Sequence, residues 1–193
     1  MSEDRRVAGS TREPGKLGAS GAERWSDYLD WQRSDLVDAV LAMHAGQRRR
    51  VLVPSGWSPI ELLSHVLHME RRWFVWGFLG EQVRDPWGDW ADGDPWRDES
   101  LDEGERSPRW AVPDGVTAER LAERLEAVAE RTREVLRDHP LTARAAVGGR
   151  FADHPPTLEW ICFHVLTEYA RHAGHLDVVV ELSHHVGPGA GTD

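Results

Sequence analysis

The chain has 193 residues, of which 40% are hydrophobic and 29% charged, and its 33 acidic and 23 basic residues give a formal net charge of −10. This balance is typical of one soluble globular domain with a substantial core, and it disfavours nucleic-acid and membrane partners because both present anionic surfaces. Cys162 is the single cysteine, which excludes an intrachain disulfide and cysteine-rich zinc modules.

Residues 1–22 lack apolar periodicity and are rich in Gly, Ser and charged side chains. This composition predicts a disordered N-terminal tail. The segment has no apolar region of the kind found in a secretory signal, and no stretch of the chain approaches the ~20 apolar residues of a membrane span. We therefore expect a cytoplasmic protein.

Two helices are predicted in the first half of the chain. The first begins at Ser26, in SDYLDWQRSDLVDAVLAMHA, where apolar residues recur at helical spacing. The second runs from Pro59 to about Gly80, because Ser58 and Glu61 can form a capping box around a proline at the first helical position. Between them, the basic run at residues 46–50 is expected to contact the end of the first helix or solvent.

Two further helices are predicted after a long irregular segment at residues 81–116. The third begins at Thr117, and the fourth runs from Thr157 to about Ser183. Four helices of roughly 20 residues each, without β-alternation or internal repeats, predict an all-α four-helix bundle over residues 23–185. Residues 186–193 contain GPGAG, which cannot continue a helix, and are predicted to form a flexible C-terminal tail.

The irregular segment contains the acidic, tryptophan-rich run DPWGDWADGDPWRDES. Its aspartates and tryptophans are Asp85, Asp89, Asp92, Asp94, Asp98, Trp87, Trp90 and Trp96. Clustered carboxylates can bind calcium, but the spacing of an EF-hand loop is absent. We expect the tryptophans to anchor this loop over one end of the bundle, where it would serve as a lid or substrate wall above an open site.

The fourth predicted helix carries His164, Glu168, His172 and His175 in FHVLTEYARHAGHLD. At about 100° per residue, Glu168 and His172 lean toward the core, whereas His164 and His175 lie nearer the polar side. The polar edge of an ordinary amphipathic helix has the same pattern, and spacing of four residues suits a hydrogen bond as well as a metal clip. By itself this pattern leaves both interpretations open, and Cys162 on the core side is expected to be a buried apolar residue.

The second predicted helix adds His65, which helical geometry directs toward the core, and His68, which it directs away. A lone inward histidine is usually a core residue satisfied by a local hydrogen bond. Facing helices of a bundle also assemble metal sites, however, and two imidazoles with one carboxylate suit Zn²⁺ or another divalent first-row metal. Such a set leaves coordination positions free for water or substrate.

The runs SGWSPIELLSHVLHMERRW and EYARHAGHLD resemble the DinB-like superfamily of metal-binding four-helix bundles. The nearer likeness is to an actinobacterial branch of unassigned function, related to the mycothiol-dependent maleylpyruvate isomerase, and it covers about residues 25–185. The resemblance implies that His65, Glu168 and His172 are metal ligands. His175 stands where many relatives carry Gln, which implies a residue beside the metal or a substitute ligand. We expect His175 or His164 to orient a ligand or transfer protons.

The function implied by this resemblance is a divalent-metal-dependent enzyme that uses or acts on a small thiol. Zn²⁺ is the expected metal, with Ni²⁺ or Fe²⁺ as alternatives, and mycothiol is the implied thiol, acting with an electrophile in isomerisation or S-transfer. The alternative is a non-catalytic metal-binding or stress-associated helical bundle that acts as a homodimer.

Overall fold

A computed structural model of the chain describes residues 13–15, 20–91, 93–95 and 109–185. Within these ranges the protein is all α, as predicted, and isolated β-bridges are the extent of its β-structure. No helix in this part of the chain is long and apolar enough to cross a bilayer. The predicted C-terminal tail, residues 186–193, and residues 1–12 and 16–19 of the predicted N-terminal tail lie outside the described residues.

The helices follow the predicted order, with one short helix and one π-helical segment added. Their bounds are α1 Gly21–Ala42, α2 Ala45–Arg48, α3 Pro59–Arg71, a π-helical segment Arg72–Phe78 that continues α3, α4 Ala118–Asp138 and α5 Leu158–His185.

Capping explains where the first two long helices begin. At α3, the predicted capping box of Ser58 and Glu61 is present, with the Ser58 backbone N–H donating to Glu61 Oε2 over 2.8 Å. At α1, an equivalent box of Ser20 and Glu23 starts the helix at Gly21 rather than at Ser26. These boxes satisfy backbone N–H groups that a helix start would otherwise leave unpaired.

One core holds the long helices together. α1 packs against α3, α4 and α5, and α3 also packs against α4 and α5. The largest fully buried side chains are Tyr169, Phe74, Leu29, Leu36, Leu62, Leu63, Leu67, Leu121, Leu125, Leu158, Ile161 and Leu176. Each apolar side chain of this size stabilises the fold by about 1.5–3 kcal/mol through burial.

A buried carboxylate links the four long helices at the centre of this core. Glu70 on α3 is fully buried and accepts hydrogen bonds from Arg33 on α1 over 2.8 and 3.1 Å, from Thr132 on α4 over 2.6 Å and from Tyr169 on α5 over 2.5 Å. Burial is the main cause that raises the pKa of Tyr169, so its hydroxyl stays protonated and donates. Because each helix contributes one member, the cluster fixes the helices relative to one another.

His68 is buried, although helical geometry directs it away from the core. His68 is 4% exposed, and its Nδ1–H donates to the carbonyl of Ser64 over 2.9 Å. The loop after the π-helical segment covers this face of α3, since Arg72 Nη1 donates to the Pro86 carbonyl over 2.9 Å, and a side chain on Gly88 would lie against the His68 ring. A helix buried by a loop as well as by other helices lacks the polar side that helical periodicity assumes.

The tryptophan-rich loop returns to the helices through a short backbone pairing. Trp90 and Trp110 form an antiparallel bridge, and the Ala111 N–H donates to the Asp89 carbonyl over 2.9 Å. This pairing brings two distant tryptophans to the same side of α3. Other members of the predicted loop lie outside the described residues, namely Asp92, Trp96 and Asp98.

Candidate metal centre

The three predicted metal ligands converge between α3 and α5. His65 on α3 and Glu168 and His172 on α5 each offer one ligand atom, and these atoms lie within 4.8 Å of one another. His65 and His172 are buried, while Glu168 is partly exposed. The group therefore has two enclosed imidazoles and one carboxylate that reaches the surface.

Glu168 and His172 lie one helical turn apart, and Glu168 Oε2 is 3.4 Å from His172 Nε2. A charge-assisted hydrogen bond is usually about 2.7–2.9 Å long. Two ligands bound to one tetrahedral zinc ion at their usual bond lengths lie about 3.3 Å apart. The observed separation fits shared coordination better than a strong hydrogen bond. The interaction with His172 is also the main cause that lowers the pKa of Glu168, so the carboxylate is ionised at neutral pH.

His172 has a buried Nδ1 atom without a hydrogen-bond partner among the described residues. A buried polar group left unpaired costs about 1–3 kcal/mol, so such atoms usually have a function or a ligand. A neutral imidazole has one N–H and one nitrogen with a free electron pair, so His172 can bind a metal ion through the nitrogen that carries no hydrogen. The residues present therefore fit a divalent metal ion.

A buried carboxylate orients His65. Its Nδ1 is 2.9 Å from Asp89 Oδ2, and Asp89 in turn accepts from Arg72 over 2.5 and 3.1 Å. Since a carboxylate accepts, His65 donates from Nδ1 and keeps a free electron pair on Nε2. Burial is the main cause that lowers the pKa of His65 to about 4, so the ring is neutral at physiological pH, as coordination requires.

Asp89 is itself held in the ionised form. Burial alone would raise the pKa of this carboxyl, but the hydrogen bonds from His65 and Arg72 outweigh burial, and the net pKa lies below its usual value. The sequence analysis placed Asp89 in the acidic loop without connecting it to His65. No spacing rule links a loop residue to a helix 24 positions earlier, so its role follows only from the tertiary structure.

Tryptophan rings enclose the two histidines. Trp110 stacks on His65 with ring centroids 4.0 Å apart and contacts His172 at 5.5 Å, while Trp90 meets the His65 ring edge-on at 5.9 Å. The His65 and His172 rings are 4.9 Å apart. These rings restrict both imidazoles and keep water from one side of the centre. Trp110 has no signal in the sequence beyond its residue type.

The other two histidines of α5 lie at different depths. His175 is exposed, with its ring centroid 6.0 Å from that of His172. His164 is half-buried between Trp73, at 4.2 Å, and Trp160, at 5.3 Å. Burial is the main cause that lowers the pKa of His164.

Cys162 is buried in the core, as predicted. Burial raises the pKa of its thiol to about 12, so the thiolate does not form at neutral pH. Cys162 is therefore a packing residue, and a thiol that reacts at this protein has to come from another molecule.

A sequence model of the mycothiol-S-transferase family matches residues 25–184. Comparison with curated proteins and with solved structures gives no significant match. The matched span includes α1 to α5 nearly entire, together with all three residues of the candidate metal centre.

Proposed function

Since the chain belongs to the mycothiol-S-transferase family, a DinB-like family, we propose that it is a divalent-metal-dependent enzyme that transfers mycothiol to a small electrophile. The observation that carries this proposal is the convergence of His65, Glu168 and His172 beside the wall formed by Trp110. We further propose that α1, α3, α4 and α5 form the DinB-like four-helix bundle that supports this centre.

His65, Glu168 and His172 would hold the metal. Nitrogen and carboxylate donors together suit Zn²⁺, with Ni²⁺ or Fe²⁺ as alternatives. When bound, such an ion lowers the pKa of a thiol in its open coordination position, so that a thiolate is available at neutral pH.

The protein's own residues prepare this chemistry. Asp89 keeps the proton of His65 on Nδ1, and Arg72 keeps Asp89 in place. Trp110 restricts the His65 ring and excludes water from its face. His175, which is exposed beside His172, would pass the thiol proton to solvent.

The proposed transfer balances without an oxidant or reductant. The thiolate sulfur forms a bond to the electrophilic carbon, and the bond between that carbon and its leaving group breaks with its electron pair. The thiol proton passes to solvent. The sulfur nucleophile comes from mycothiol, because Cys162 is buried with a raised pKa.

A second proposal is a non-catalytic metal-binding or stress-associated protein that acts as a homodimer. It is favoured by large apolar side chains that α5 leaves exposed, namely Trp160, Phe163, Val178 and Leu182. Trp160 and Phe163 lie near the start of α5, and Val178 and Leu182 lie near its end. Exposed apolar side chains on one helix can take part in an interface between proteins.

Metal content and turnover separate the two proposals. We expect elemental analysis to find about one divalent ion per chain in the wild type and little in His65→Ala or His172→Ala. His184→Ala, an exposed histidine on the same helix, is the matched control and should keep the ion. A wild type without metal would refute the metal-dependent enzyme. Metal without conjugation of mycothiol to aryl chlorides, and without any effect of mycothiol on the protein, would favour the second proposal.

A further inference from the structure

Arg150 is a cation surrounded by tryptophan rings. Its guanidinium carbon lies 4.3 Å from the ring centroid of Trp73, 5.6 Å from that of Trp87 and 5.9 Å from that of Trp76. Its Nη1 atom is buried and has no hydrogen-bond partner among the residues that the structure describes. Within the same residues no carboxylate lies within ion-pair distance of Arg150, and Asp94 acts on it only at longer range.

Arg150 as a whole is half-buried, but a buried guanidinium nitrogen without a partner, such as its Nη1, is unusual because buried polar groups in proteins are nearly always paired. Contacts with aromatic rings stabilise the charge but do not accept its in-plane N–H groups. Burial, followed by the charge of Arg72, lowers the pKa of Arg150 to about 10. The side chain is therefore still positively charged at neutral pH.

The backbone around Arg150 is held against the π-helical segment. The Arg150 N–H donates to the Trp76 carbonyl over 3.4 Å, and the Ala146 N–H donates to the Phe78 carbonyl over 2.9 Å. At Gly149 the contact is so close that an added Cβ would lie 2.5 Å from the Trp76 carbonyl oxygen. The position of Arg150 is thus determined by the fold.

Arg150 is connected to the candidate metal centre through Trp73 and His164. Trp73 contacts the guanidinium on one side and the His164 ring, 4.2 Å away, on the other. His164 precedes Glu168 by one turn of α5, and the two interact electrostatically. An electrophile that extends from Glu168 past His164 and Trp73 would reach the guanidinium of Arg150.

We propose that Arg150 and the tryptophans around it form the subsite that binds a carboxylate of the electrophile, so that the enzyme prefers acidic, flat electrophiles. This inference rests on the S-transfer function proposed above. A guanidinium presents two N–H donors in one plane, which matches the two oxygens of a carboxylate. The tryptophan rings provide flat apolar surface for an aromatic or conjugated body.

A binding experiment tests the subsite without turnover. Fluorine NMR titrations of the full-length, metal-loaded protein would compare para-fluorobenzoate with its neutral isostere, para-fluorobenzamide. We expect Arg150→Gln to weaken binding of the benzoate about tenfold or more and to leave the benzamide unchanged. Arg150→Lys should give an intermediate loss, because it keeps the charge but not the planar pair of donors. Arg120→Gln, an exposed arginine paired with Glu123, is the control and should change neither.

Two results would overturn the subsite. One is a wild type that binds both probes equally. The other is an Arg150→Gln protein that keeps the preference for the benzoate, which would place the carboxylate elsewhere, for example on the metal. Metal content and thermal unfolding show whether each variant is folded. If Arg150→Gln does not fold, Arg150→Lys decides the question.

A conjugation experiment tests the preference during turnover. The substrates are chlorodinitrobenzoate and chlorodinitrobenzamide, on which the mycothiol thiolate forms a C–S bond, chloride leaves and the thiol proton passes to solvent. The ratio of kcat/KM for the acid over the amide should fall about tenfold or more in Arg150→Gln, mainly through KM. If no variant conjugates either compound, the S-transfer proposal fails, while the NMR titrations still decide the subsite. An unchanged ratio in an active enzyme would refute the subsite alone.

Discussion

Asp89→Asn is the most informative single substitution at the candidate metal centre, because it alters two buried contacts without changing the size of the side chain. In the wild type the carboxylate accepts from His65 over 2.9 Å and from Arg72 over 2.5 and 3.1 Å. An asparagine has one accepting oxygen and one donating NH₂ group. In either orientation of the asparagine side chain, its NH₂ group then faces an N–H donor of His65 or Arg72.

Two effects of different size follow from this change. Arg72 is 4% exposed and would be left without an ionised partner, and breaking a buried ion pair on one side typically costs about 3–5 kcal/mol of unfolding free energy. His65 would lose the acceptor that fixes its tautomer, and loss of such a partner typically weakens metal binding about 10- to 100-fold. Asp114→Asn, an exposed loop aspartate, is the matched control and should change neither quantity.

Urea unfolding of the metal-free protein measures the first effect, and competition with a chromogenic chelator measures the second. Folded Asp89→Asn that binds metal as tightly as the wild type would refute the conclusion that Asp89 orients His65. An unchanged unfolding free energy would refute the conclusion that Asp89 is the counter-ion of Arg72. Because the two measurements are independent, either conclusion can fail without the other.

The remaining predictions concern stability. Glu70→Gln should lower the unfolding free energy by about 3 kcal/mol in urea titrations, because Arg33 loses a buried partner, whereas the exposed Glu81→Gln should change it by less than about 1 kcal/mol. In the metal-free protein, His65 stays neutral down to a pKa of about 4, whereas an unfolded histidine takes up its proton near 6.5. The unfolded state therefore binds more protons than the folded state in this window, so the unfolding free energy should fall by up to about 3 kcal/mol as the pH drops from about 6.5 to 4. Urea titrations of His65→Gln should show a shallower fall with pH. An equal fall in wild type and variant would contradict the low pKa of His65. Gly149→Ala should lower the melting temperature because its Cβ would lie 2.5 Å from a carbonyl oxygen, and an unchanged melting curve would show that the loop can move away.

The predictions that succeeded rest on local geometry. The start of α3 was predictable because a capping box and a proline act within one turn, and the convergence of Glu168 with His172 was predictable because four residues make about one helical turn. His65 could be assigned to the same site because a long apolar helix in a bundle has to pack against the other helices.

The residues that the sequence analysis missed lie where tertiary contacts decide. His68 was assigned to the outer side because helical periodicity assumes that one face meets water, but the loop around Gly88 covers that face. Asp89, Trp110 and Arg150 are loop residues, and nothing in their spacing reveals which helix they contact. The π-helical segment also changes the spacing of side chains after Arg71, so that an α-helical projection does not apply to Trp73 and Trp76.

The charges of the described residues explain why one arginine near the centre is paired and another is not. Asp89 neutralises Arg72, so this pair adds no net charge beside His65. His65 is neutral and Glu168 carries one negative charge, so a divalent ion bound there would keep a net positive charge and would favour a thiolate. Arg150 adds a second, separate positive charge on the far side of Trp73. With the proposed metal bound, the site would have two separated positive charges and would suit two anionic groups, namely a thiolate at the metal and a carboxylate at Arg150. An arginine that is already paired with an aspartate, as Arg72 is with Asp89, could not select for such a carboxylate.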